Sequence, residues 1–428
     1  MGAVEGPAGQ VDAGARPRRW RLVGPGIVVA ATGVGAGDLV ATLVAGGRFG
    51  YALLWAAVVG CVVKIVLAEA VGRFHLATGS TLFAGWRSLG AWTTAYFGVY
   101  VLVWGFVYGA SAMTASALPL AALFGGDLKP WAVGCGVAGL LLVGLGRYAL
   151  FEKVVTVCVG VMFVVVVGLA VLLLVDRVPG AAGGFAQGLP EGSTVYTLGL
   201  IGGVGGTITM AAYGYWINAK GWRDSTWMRV MRWDNRVAYA TTGVFVLAMV
   251  VVGAELVHAV GADITSGDAG LLDLDELLRE RYGGVLSSAF LVGFFATSFS
   301  SLLGVWNGVS LMVADFWANL RAPAGQEASA RVADGTAERS APFRLFLLWL
   351  TFPPIALLFL DEPFGLIVAY GVLGSFFLPF LAVTLLLLLN SSRTPREHRS
   401  GPVSNAALAA SGLLFLVLFV DQLTDLAG

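Results

Sequence analysis

Apolar positions in this chain fall into long unbroken runs, not the alternating or one-faced patterns of a soluble domain. Eleven runs reach the length of a bilayer-spanning helix: residues 24–45, 50–72, 92–124, 131–147, 153–175, 195–217, 236–258, 284–316, 344–360, 363–390 and 404–424. They predict an all-α polytopic membrane protein. Two of the polar connections are long. The one at 259–283 carries Leu271-Leu272-Asp273-Leu274-Asp275-Glu276-Leu277-Leu278, whose spacing predicts a short amphipathic surface helix. The one from Arg321 to Pro342 is rich in Ala, Gly, Ser and charge and reads as a linker. Residues 1–20, rich in Gly, Ala, Pro and Arg, predict a disordered segment and not a cleaved signal peptide.

Two of the runs are interrupted. The first carries Thr32-Gly33-Val34-Gly35-Ala36-Gly37-Asp38, and the sixth carries Gly202-Gly203-Val204-Gly205-Gly206. Each glycine weakens a helix by about 1 kcal/mol relative to Ala. An acid at a membrane-helix centre costs about 2.5–3.5 kcal/mol on insertion scales, so a plain anchor helix would not carry Asp38. Gly33-Val34-Gly35-Ala36 lines up with Gly203-Val204-Gly205-Gly206. Glycine-broken spans at matching places in two halves point to a transporter of inverted repeats, with helix breaks at Gly33, Gly37, Gly203, Gly205 and Gly206. The alternative is that these glycines only permit close helix packing. Repeat one then covers 24–175, repeat two 195–390, and the helix at 404–424 is appended.

Composition sharpens the class. Of 428 residues, 57% are hydrophobic and 12% charged, against about 25% charged in soluble domains. Formal net charge is zero, so nothing suggests nucleic acid as a partner. The partners expected are the lipid bilayer and a transported solute. Cys61, Cys135 and Cys158 all lie in apolar runs and read as packing residues. No HExxH, Walker A, GxSxG or zinc-type spacing is present, which argues against an enzyme and against a resident cofactor. If the N-terminus is cytoplasmic, twenty Lys and Arg fall on inner segments and five on outer ones, with Lys64 inside the second span. That bias predicts a multi-pass cell-membrane protein with its N-terminus inside and C-terminus outside.

The chain resembles the Nramp family of divalent metal transporters. The resemblance is carried by Gly24-Pro25-Gly26, Phe49-Gly50-Tyr51, Leu53-Leu54-Trp55, Ala77-Thr78-Gly79, Glu152-Lys153 and Leu378-Pro379-Phe380, in order across spans one to ten. It implies the LeuT-type fold, two inverted five-helix repeats, here with one extra helix. The metal-binding motifs depart from it. The family's Asp-Pro-Gly-Asn in the first span reads Gly35-Ala36-Gly37-Asp38 here. Its Met-Pro-His in the sixth span meets Thr207-Ile208-Thr209-Met210-Ala211-Ala212, with the family's Met on Thr209 in one register and on Met210 in the other. Its Ser-Gln pair in the tenth span becomes Tyr370-Gly371. The chain therefore resembles a divergent branch.

A broken helix exposes carbonyls at the negative end of its first half, where cations bind. The expected substrate site comprises Asp38, Gly35, Thr207, Thr209 and Met210. Asp38 is a cation ligand on this reading, or a partner of Lys64 on the other. The threonines supply hydroxyl oxygens, unless they bond their own backbone. Met210 supplies a soft thioether or only packs. Ser300 and Ser301 resemble the hydroxyl pair that helps bind sodium in sodium-coupled LeuT-type carriers, and such residues also serve packing. The expected function is alternating-access transport of a divalent cation, magnesium or manganese fitting an oxygen-rich site. Tight proton coupling is not expected: the third span carries no Asp, Glu, His, Lys or Arg, and the sixth has no His. The alternatives are a sodium-coupled carrier of a small organic solute and a non-transporting receptor or assembly subunit.

Overall fold

The computed structural model describes residues 25–145, 148–176, 190–193, 196–197, 200–201, 205–258, 268–322, 337–360 and 363–427. Fourteen α-helices run through these: α1 (Pro25–Gly33), α2 (Ala36–Phe49), α3 (Leu54–Thr78), α4 (Leu82–Leu89), α5 (Ala91–Phe124), α6 (Leu128–Gly144), α7 (Tyr148–Val175), α8 (Tyr213–Ala219), α9 (Met228–Leu256), α10 (Asp268–Tyr282), α11 (Gly284–Arg321), α12 (Ala341–Thr351), α13 (Pro363–Asn390) and α14 (Pro402–Ala427). Short 3₁₀ turns at Ile208–Ala212 and Pro353–Leu360 extend α8 and α12.

Among the described residues, six helical stretches are long and apolar enough to cross a bilayer, and three shorter apolar ones lie at Leu128–Gly144, Phe376–Asn390 and Pro402–Val417. With the interrupted first and sixth spans they account for all eleven expected. The amphipathic segment is α10, longer than its pattern suggested, with Leu274 and Leu278 turned inward and fully buried. The N-terminal 20 residues and most of the linker from Arg321 to Pro342 lie outside the described residues.

Lipid is as apolar as leucine, so spans associate through close packing. α2 and α9 illustrate it. A methyl on Gly46 would fall 2.2 Å from the Val250 carbonyl oxygen, and one on Gly253 would fall 2.4 Å from that of Leu43. The bundle centre holds Trp216, Trp306, Tyr213 and Tyr239, all fully buried. α7 is peripheral: Val164 on it is 72% exposed, as a lipid-facing side chain should be. α14 packs on α13 and α3 as the appended helix.

Polar contacts sort to two ends. At one end Glu152 meets Lys220 (2.5 Å), Glu69 meets Arg73 (3.4 Å) and Arg232 (3.0 Å), and Arg73 reaches Ser404 (2.8 Å). At the other, Arg48 donates to Tyr196 (2.7 Å), Tyr51 to Glu255, and Arg281 pairs with Asp176 (3.5 Å). The first group holds residues assigned to inner segments from charge, the second residues at or near the predicted outer ends of spans.

Candidate functional site

The site begins where two helices fail. α1 stops at Gly33, Val34 and Gly35 are non-helical, and α2 starts at Ala36. The last carbonyls of α1 have no partner within their helix. In the sixth span, residues 196–197 and 200–201 are helical, Gly205 and Gly206 take φ of +78° and +83°, and a 3₁₀ turn leads into α8. An L-residue in that left-handed region costs about 1–2 kcal/mol, so Gly205-Gly206 is where this span can unwind.

The two breaks touch backbone to backbone. A methyl on Gly33 would fall 2.1 Å from the Gly205 carbonyl carbon, and one on Gly206 would fall 2.9 Å from Gly33 Cα. Other elements close round this crossing. A methyl on Gly35 would sit 2.8 Å from Ser301 Oγ on α11, and that hydroxyl is 3.0 Å from Tyr108 of α5. Lys64 of α3, wholly buried, donates its ammonium to the Gly206 carbonyl, and Tyr239 of α9 donates to that of Gly205 at 3.4 Å. Gly374 of α13 packs on Thr207, its Cβ position 2.8 Å from Cγ2.

Two hydroxyls are left over. Thr207 Oγ1 and Thr209 Oγ1 are buried and have no hydrogen-bond partner among the described residues. An unsatisfied buried polar group costs about 1–3 kcal/mol, and two at the same break provide oxygen donors for a ligand or ordered water. Among the described residues no three His, Cys, Asp or Glu side chains cluster as metal ligands. The arrangement offers oxygen chemistry from carbonyls and hydroxyls.

The expected site residues separate under this geometry. Gly33, Gly35, Gly205, Gly206, Thr207 and Thr209 meet at the crossing. Met210 is fully buried on the adjoining turn. Gly37 is not in the break: it is the second residue of α2, and the chain unwinds at 34–35, where it passes Ser301. Asp38 is the third residue of α2, at the positive end of that helix, which favours a carboxylate. Its side chain lies outside the described residues, as does Gly203 altogether. The serine pair divides: Ser301 reaches the break, whereas Ser300 donates to Thr297 O of its own helix at 2.9 Å.

Sequence reasoning passed over three groups. Tyr108 and Tyr239 could have been flagged, because a buried phenol needs a partner for its hydroxyl. Asp234 gave no such signal, standing between Arg232 and Arg236 at the start of a span. It is 2% exposed and accepts from the Gly26 N–H (2.7 Å) and the Tyr213 hydroxyl (2.9 Å). It thus holds the start of α1 and the half-helix α8 against α9. On the other flank of α8, Tyr215 donates to Asp315 of α11 at 2.8 Å.

Two interrupted spans crossing at mid-bundle, offering carbonyl and hydroxyl oxygens, define a membrane protein of the secondary-transporter class. The chain belongs to the natural resistance-associated macrophage protein-like (Nramp) family, whose model matches residues 26–424. The divalent metal cation transporter MntH of Chromohalobacter salexigens is 26% identical over 391 residues, 87% of this chain and 84% of the relative. The manganese transporter of Eremococcus coleocola, solved with an aromatic bis-isothiourea compound, superposes with a TM-score of 0.75 at 18% identity, over 98% of this chain and 90% of that one. Mhp1, a nucleobase-cation-symport-1 family transporter, gives 0.59 at 14% identity over 93% and 89%. The fold is LeuT-type, and the resemblance drawn from sequence holds for family and fold.

Proposed function

We propose that this chain carries a divalent metal cation across the membrane by alternating access, binding it where the two breaks cross. The observation that carries the reading is the pair of hydroxyls, Thr207 and Thr209, buried without a partner among the described residues beside the backbone contact of Gly33 with Gly205. The relatives' names favour a metal over an organic solute. Asp38, from the positive end of α2, supplies the negative charge that a divalent ion needs. Hydroxyl, carbonyl and carboxylate oxygens are hard donors, which favours magnesium or manganese. The arginine-rich end faces the cytoplasm.

Proton coupling is loose on this reading. Proton relays need titratable groups within the spans, and α5 carries none of Asp, Glu, His, Lys or Arg. Purified protein in proteoliposomes, offered magnesium, manganese and cadmium with and without sodium or pH gradients, tests the whole. Uptake of magnesium or manganese is expected without matching lumenal acidification. It should fall at least tenfold in Asp38→Ala and in the Thr207→Val, Thr209→Val double variant. Full uptake in both would displace the site, and stoichiometric acidification would establish a proton path. Cadmium preference lost in Met210→Ala would mean that sulfur, not oxygen, selects the ion.

A further inference from the structure

A groove of about 640 Å³ opens between the first half of α5 and the end of α11, away from the substrate crossing. One wall is a stripe of small residues, Ala91, Thr94, Ala95 and Gly98, and the other is Phe316 and Leu320. It faces the lipid side: Val99 at its rim is 68% exposed and Leu320 48%. Trp92 and Trp317, both half-exposed, flank it as residues of the membrane–water boundary do.

Its arginine-rich end is basic. Arg87 lies there and donates to the carbonyls of Asn319 and Ala322 (2.7 Å for the latter), capping α11. These bonds use two of five guanidinium N–H donors. Arg393 reaches the Ser88 carbonyl, one residue along, at 2.6 Å. Arg321, next to Leu320, lies over the Trp317 ring at 4.6 Å from its centroid. No acid lines the groove among the described residues. Asp315 on the same helix is wholly buried and bonded to Tyr215 and Asn319. A small cavity that shares Arg87, Phe316 and Leu320 with the groove is lined by Trp86, which is 1% exposed and whose indole N–H has no acceptor among the described residues.

We propose that this groove is a binding site for one anionic glycerophospholipid. The phosphate sits among Arg87, Arg321 and Arg393, and an acyl chain lies along the Ala91–Gly98 stripe. Apolar wall, basic mouth and boundary tryptophans match a lipid's chain, headgroup and depth, and a neutral lipid would leave the arginines uncompensated. The site is independent of the transport reading.

The test is thermal unfolding and native mass spectrometry of the detergent-purified chain titrated with phosphatidylglycerol, phosphatidylcholine or inorganic phosphate. Phosphatidylglycerol should bind at least tenfold more tightly than phosphatidylcholine and raise the unfolding temperature, while phosphate alone should do neither. Arg393→Gln and Gly98→Leu, which removes headgroup charge and fills the groove respectively, should each abolish the preference. Arg87→Gln should do so too, but it also removes the cap of α11, so the first two variants decide. Equal binding of the two lipids, stabilisation by phosphate alone, or an unchanged preference in both deciding variants would each overturn the proposal.

Discussion

The ammonium of Lys64 sits where a transported cation would be drawn, on a carbonyl of the unwound sixth span. Two unit charges of like sign about 4 Å apart oppose each other by about 4 kcal/mol at an effective dielectric of 20, and a divalent ion doubles that. Lys64→Met should therefore raise manganese affinity at least tenfold by calorimetry, while lowering thermal stability because the Gly206 carbonyl loses its donor. Weakened binding would instead make Lys64 a support of the site. The glycines at the crossing are equally exacting. Gly33 faces the backbone of Gly205, which cannot turn aside as a side chain can, and Gly205 faces the fully buried ring of Tyr239. Gly33→Ala should cost 1–3 kcal/mol or more, and Gly205→Ala a further 1–2 for its positive φ. Both are read as lowered unfolding temperatures against a Gly134→Ala control inside α6, where the added methyl has open space.

At the scale of elements, the half-helices α1 and α8 share one anchor, Asp234. A methyl on Gly26 would fall 2.7 Å from its Oδ2, so the glycine is what lets the carboxylate cap α1. Asp234→Ala should free both half-helices. Amide hydrogen exchange over residues 26–33 and 213–219 should quicken, with little change in α5. Unaltered exchange would demote Asp234 to a packing residue. The elements themselves were legible in sequence because each span is one apolar run, and the breaks because glycine is scarce in helices for a physical reason. What stayed hidden was carried by the backbone. No pattern tells that Lys64 bonds a carbonyl, that Ser301 and not Ser300 meets the break, or that the first span unwinds ahead of Gly37. Asp234 was hidden differently, as a carboxylate among arginines that reads as surface charge.

Across the molecule, the short turn Ala337–Arg339 packs on α11. Glu338, in a short turn before α12, is mostly buried, and that burial raises its pKa against the opposing pull of Asn307 and Arg339. A raised carboxyl pKa means that stability is retained below the ordinary glutamate value of about 4.3 and lost as pH climbs through the folded value. Glu338→Gln should match the parent in acid and unfold at a higher temperature near neutrality. A constant difference across pH would assign the effect to packing. The crossing of Gly33 and Gly205 has its own consequence at this scale. Helices that interlock by ridges and grooves must lift side chains past one another to turn. Two bare backbones have no ridges, so the broken spans meet at a fulcrum. On the alternating access proposed above, the elements that carry the two breaks rock on each other there, opening either end of the bundle in turn while the point of contact stays still. Spin-label distances taken at both ends and across the crossing should change in opposite senses at the ends and hardly at all in the middle.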